Sequence, residues 1–163
     1  MLTPATSRWV YRVRCRRLFL LSFAMYAVAT VAVAQRAPSD TELRAAYCLS
    51  LVKQEIEYQQ RAIAQSETLA KNAQTPERRQ AQEADAALWQ GMQDAAEAIR
   101  RKLEMYLTPR LPALDPGAML AATQRGAEDW HKLFAATRCP ECGNTDPGLH
   151  ERRKKCFNPT WLP

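Results

Sequence analysis

Downstream of Ala34 the chain carries four cysteines, Cys48, Cys139, Cys142 and Cys156, and the two histidines His131 and His150. These are the residues whose types and spacing can do chemistry. Three chemistries compete for the cysteines. An even number of cysteines in an exported chain points to disulfides. Four soft or imidazole donors can instead close a tetrahedral zinc site. Cys139, Cys142, His150 and Cys156 would supply that set and leave Cys48 unpaired. The Cys139-x-x-Cys142 pair can also exchange disulfides, provided that a helix N-terminus or a cation stabilises one thiolate. Here the pair follows a predicted helix and so faces its negative end, and a βαβ context is absent.

Cys139-Pro140-Glu141-Cys142-Gly143 resembles the knuckle of zinc-ribbon proteins, Cys-Pro-x-Cys-Gly. The resemblance covers five residues and implies a bound zinc. A ribbon has a second Cys-x-x-Cys knuckle, whereas this chain offers only Cys156 beyond the first. With His150 the spacing is Cys-x₂-Cys-x₇-His-x₅-Cys, which departs from the short knuckle of nucleic-acid-binding proteins, Cys-x₂-Cys-x₄-His-x₄-Cys. The expectation is two disulfides and no metal. A zinc-binding or thiol-active protein centred on Cys139 and Cys142 is the alternative. His131 follows Trp130 beside Glu128 and Asp129, which suits a solvated helix surface. Neither histidine lies in a nucleophile, metalloprotease or phosphate-loop motif, so no catalytic residue and no cofactor are assigned.

The oxidising compartment is argued from the front of the chain. Arg8, Arg12, Arg14, Arg16 and Arg17 precede an uncharged apolar run from Leu18 to Ala34, which closes on the small-residue pattern Ala32-Val33-Ala34. Residues 1–34 therefore read as an export signal cleaved before Gln35. Arg16-Arg17-Leu18-Phe19-Leu20 resembles the twin-arginine export motif, Arg-Arg-x-Phe-Leu; the strongly apolar run suits the general secretory route. Removing the five leader arginines from 23 basic residues leaves 18 against 17 acidic ones, a net charge of +1. Binding to nucleic acid or to a membrane surface needs a concentrated positive field, so neither is expected. Arg100-Arg101-Lys102 and Arg152-Arg153-Lys154-Lys155 read as a solvated helix end and a solvated tail.

The remaining 129 residues must position the cysteines. Their sparse glycine and abundant Ala, Leu, Glu, Gln, Lys and Arg predict helices and no strand pattern. Ser39 with Glu42 forms a capping-box signal for a first helix to about Asn72. Leu43, Tyr47, Val52, Ile56, Ile63 and Leu69 mark its apolar stripe, which Gln59-Gln60 and Gln65-Ser66 thin in the second half, so that end is expected to be more exposed. Thr75-Pro76 starts a second helix. Its stripe is read as Ala81, Ala84, Leu88, Met92, Ala95, Ile99, Leu103 and Tyr106, with Trp89 at the groove edge. The short connection turns the two helices into an antiparallel hairpin. Pro109 and Pro112 break the second helix. Asp115-Pro116 caps a third, about Pro116 to Thr137, which turns Leu120, Thr123, Ala127, Trp130 and Phe134 inward, with Gly126 as a weak point. Residues 139–163 read as an irregular, cysteine-containing tail without periodicity.

The expected fold is all-α: a three-helix domain over residues 35–138 with a disulfide-tied tail. Cys48 would lie about 12 Å above the start of the first helix, and the third helix climbs about 35 Å at ~1.5 Å per residue. The 13 residues between Cys142 and Cys156 can run back down. This geometry favours Cys48–Cys156 with Cys139–Cys142; Cys48–Cys142 with Cys139–Cys156 remains open. The functional expectation is a non-catalytic interaction or structural protein of the cell envelope or secreted fraction. Its partner, another envelope protein, would meet the exposed face of the hairpin, with no membrane span left after cleavage.

Overall fold

The computed structural model describes residues 35–138 and 147–163. Residues 1–34, read from the sequence as an export signal, and Cys139 and Cys142 lie outside the described residues. Helix α1 spans Asp40–Lys71. Its capping box is closed: Ser39 Oγ accepts from the Glu42 N–H at 3.3 Å, and Glu42 Oε2 accepts from the Ser39 N–H at 2.8 Å. Helix α2 spans Pro76–Leu107, with Thr75 Oγ accepting from the Arg78 N–H at 3.3 Å. After a 3₁₀ turn at Leu111–Ala113, helix α3 runs over Pro116–Arg138. Asp115 Oδ1 accepts from the Gly117 N–H at 2.9 Å and caps it.

The hairpin and third helix match the expected architecture. The cysteine-containing C-terminal region adds a fourth helix, α4, over Pro147–Phe157, where the sequence showed no periodicity. Its apolar residues, Leu149, Cys156 and Phe157, flank a charged run from Glu151 to Lys155. Leu149 and Cys156 are buried, and Phe157 packs beside them half-buried. That is too sparse a pattern to register as a period.

Helix α1 is buried on two faces. Ala45, Leu49, Val52, Ile56, Gln59, Ile63, Ser66 and Ala70 are buried or half-buried, with alternating spacings of four and three. In α2 the matching set is Gln82, Ala86, Trp89, Gln93, Ala96, Arg100, Leu103 and Leu107. Both follow the heptad spacing of a coiled coil, which suits two long antiparallel helices. Lys53 Nζ and Glu104 lie 3.2 Å apart and tie the pair at the surface. The expected stripe of α2 therefore needs correcting. Leu88 is 62% exposed and Met92 40%, and Ala81, Ala84 and Ala95 face outward too. Leu103 belongs to both sets and is buried, and Ile99 and Tyr106 of the expected stripe are half-buried and pack against the core. From Ala81 to Ala95 the apolar row runs mostly one position ahead of the seam, a rotation of about 100°. Leu69 of α1 is exposed, as expected for that end, whereas Gln59 and Ser66, read as weakening the stripe, are buried.

The second face of α1 receives α3 and α4. Helix α3 buries Met119, Ala122, Gly126, Trp130 and Leu133. Leu120 and Thr123, expected inside, are exposed, while Phe134 is half-buried. Gly126 allows close approach rather than weakening the helix: a Cβ there would sit 2.3 Å from the Tyr47 carbonyl oxygen. The chain entering α1 is pinned as well. The Arg36 N–H donates to the Ala113 carbonyl at 2.9 Å, and the Asp115 N–H donates to the Arg36 carbonyl at 3.0 Å.

Candidate functional site

Cys48 of α1 and Cys156 of α4 are joined by a disulfide, with Cα atoms 5.0 Å apart. A sulfur bonded to Cys48 is not a free zinc thiolate, so the disulfide engages the Cys156 that the zinc alternative grouped with Cys139, Cys142 and His150. Among the described residues, no group of three or more His, Cys, Asp or Glu side chains could hold a metal. His150 is exposed on α4 and His131 on α3, where its ring lies 5.3 Å from that of Trp130.

Two of the concave regions among the described residues are lined by α3 and α4. The first is an aromatic recess of about 280 Å³. Tyr58 of α1 sits at its centre, edge-on to Trp89 of α2 at 5.7 Å and to Phe134 of α3 at 4.7 Å. Trp130 stacks on Phe134 at 4.9 Å. Met92 of α2 and His150 and Arg153 of α4 complete the wall. Beneath the rings is a buried carboxylate, Glu55. It accepts from Trp130 Nε1 at 3.1 Å, from Gln59 Nε2 at 3.3 Å and from Arg153 at 3.3 Å. One side chain of α1 thus holds α3 and α4, and a buried charge is tolerable because it is paired and hydrogen-bonded.

Sequence reasoning did not single out Glu55 or Tyr58. A signal was present: Tyr47, Leu51, Glu55 and Tyr58 are spaced by four, four and three, which puts them on one helical face. The glutamate disguised that face as solvated.

The second region is a cleft of about 660 Å³ between α1, α3 and α4, with the disulfide in its wall. Arg44, Arg125, Lys132, Arg152 and Lys155 line it, against only Glu128 and Asp129. Asp129 accepts from the Tyr47 hydroxyl at 2.9 Å and pairs with Arg152 at 3.4 Å and Lys132 at 3.5 Å. Burial, reinforced by the Asp129 carboxylate, pushes the Tyr47 phenol up to about 12, so it remains a neutral donor. The expected solvated tail is therefore helical, and Arg152 and Lys155 meet cations of two other helices. By contrast, Arg100 is engaged by Glu97 and Glu104 within α2.

Among the described residues, no helix is long and apolar enough to cross a membrane. Comparison with protein-family models, curated proteins and solved structures finds no match for the chain.

Proposed function

We propose that the protein is an exported, disulfide-stapled helical interaction module that receives an apolar helix of another envelope protein along α2. One observation carries this reading. Ala81, Ala84, Leu88, Met92 and Ala95 form an outward row at helical spacing, and the row reaches the aromatic recess through Met92. No residue from Pro76 to Ala95 is buried within the chain. A row with the period of a helix is best complemented by a second helix, whose large apolar residue can enter beside Trp89. Tyr, Trp and Arg around such a recess are the residue types that dominate binding energy. The leader pattern and the Cys48–Cys156 link support an oxidising destination.

The test is a photo-crosslinking residue at position 88, in protein produced in its native compartment. A discrete adduct at 88, absent from the same residue at exposed Leu120 and abolished by Met92→Asp, is the expected result. Equal labelling at both positions would remove the reading. An adduct of twice the monomer mass would replace the partner by a second copy of the chain.

A further inference from the structure

The cationic cleft lies on different residues from the aromatic recess, and its occupant can be argued separately. The chain beyond the leader is nearly neutral, yet five of its cations converge on one concavity with two carboxylates. Gathering like charges costs stability, and concave walls focus their field. Asp129 is already shared by Tyr47, Arg152 and Lys132. Arg44, Arg125 and Lys155 have no carboxylate partner among the described residues. Arg44 rests over the Trp161 ring at 5.4 Å, and Arg125 reaches only a backbone carbonyl of its own helix, that of Ala121. Leu43 and the disulfide provide apolar wall. A volume of about 660 Å³ is that of a small-molecule site.

We propose that this cleft binds a small soluble dianion, a phosphate ester or a dicarboxylate, and that the Cys48–Cys156 disulfide holds the cleft in shape. Guanidinium groups suit either oxyanion because their paired N–H donors match its oxygens. The disulfide acts through position. Arg44 lies one turn before Cys48, and Arg152 one turn before Cys156, so joining the sulfurs brings the two guanidinium-bearing turns together against their repulsion.

Calorimetric titration with inorganic phosphate and with succinate, at constant ionic strength set by chloride, tests the site. Saturable one-to-one binding of at least one probe is expected. Arg125→Gln combined with Lys155→Gln should weaken it about tenfold or more, since each lost charged contact contributes on that order. The pair Arg61→Gln and Lys71→Gln makes the same change in net charge, beginning about 25 Å farther along α1 from Arg44. It should leave affinity unchanged. Equal weakening by both pairs, no saturable binding of either probe, or binding only to phosphatidylglycerol vesicles would overturn the proposal. Reduction with dithiothreitol should abolish binding while circular dichroism stays helical. Full affinity in the reduced, folded protein would refute the role of the disulfide.

Discussion

Gly126 of α3 lies against Tyr47 of α1 so closely that a Cβ would fall 2.3 Å from the Tyr47 carbonyl oxygen and 3.0 Å from Ser50 Cβ. Backbone cannot yield as a flexible side chain can. Gly126→Ala should therefore destabilise the fold by about 1–3 kcal/mol through overpacking. Helix propensity alone predicts the opposite sign, a gain of about 1 kcal/mol. Urea denaturation decides between them, and a stabilised variant would mean that α3 sits farther from α1.

The rotation of the α2 seam gives a paired test. Leu103→Ala should cost about 2–5 kcal/mol, because the side chain is fully buried. Leu88→Ala should change stability by less than about 0.5 kcal/mol, as at other exposed sites. Similar losses at both positions would restore the stripe read from the sequence.

Glu42 predicts an acid limb. Its carboxyl is held down at about 2, against an ordinary 4.5, chiefly by the Arg36 guanidinium at 2.9 Å and further by Ser39; burial opposes this. A lowered folded value means that its stabilisation is complete above about pH 4.5 and is lost as pH falls toward 2. Arg36 is half exposed, so solvent screening reduces the contribution to about 1–2 kcal/mol. Glu42→Gln should lower stability at pH 7 and flatten the decline between pH 4.5 and 2. An unchanged acid profile would assign the decline to other carboxylates.

Gln59 sits in the α1 seam, 2% exposed. Its Nε2 serves Glu55, but no described group reaches its buried Oε1. An unpaired buried acceptor costs about 1–3 kcal/mol, while Glu55 keeps Trp130 and Arg153. Gln59→Leu should therefore raise the thermal midpoint by several degrees. A lowered midpoint would mean that the amide is needed to hold Glu55.

The helix starts were legible because caps are local chemistry: Ser39 with Glu42, Thr75 before Pro76, and Asp115 are short-range devices. The outer half of the α2 seam was not, because Leu88 and Met92 made a better apolar row than the true one, which includes Gln82 and Gln93. Tertiary context chose the face. On α3 the same happened with Leu120, whose size suggested burial while Ala122 and Gly126 made the close contact. Helix lengths and the 13 residues before Cys156 favoured the long disulfide over its rival without deciding between them. Both clefts were hidden, since Glu55, Asp129 and the α4 cations acquire meaning only when distant helices meet.

The separation of 108 positions between Cys48 and Cys156 also orders events in time. If the chain crosses a membrane unfolded and N-terminus first, Cys48 reaches the oxidant long before its partner exists there. Cys139 and Cys142 arrive next, both wrong for Cys48, and Cys156 arrives last. Oxidation of Cys48 before Cys156 arrives thus produces mispaired chains, from which the native link is reached by thiolate exchange. A host without disulfide isomerase activity should accumulate those mispaired forms, whereas translocation of the already folded chain would spare it the detour.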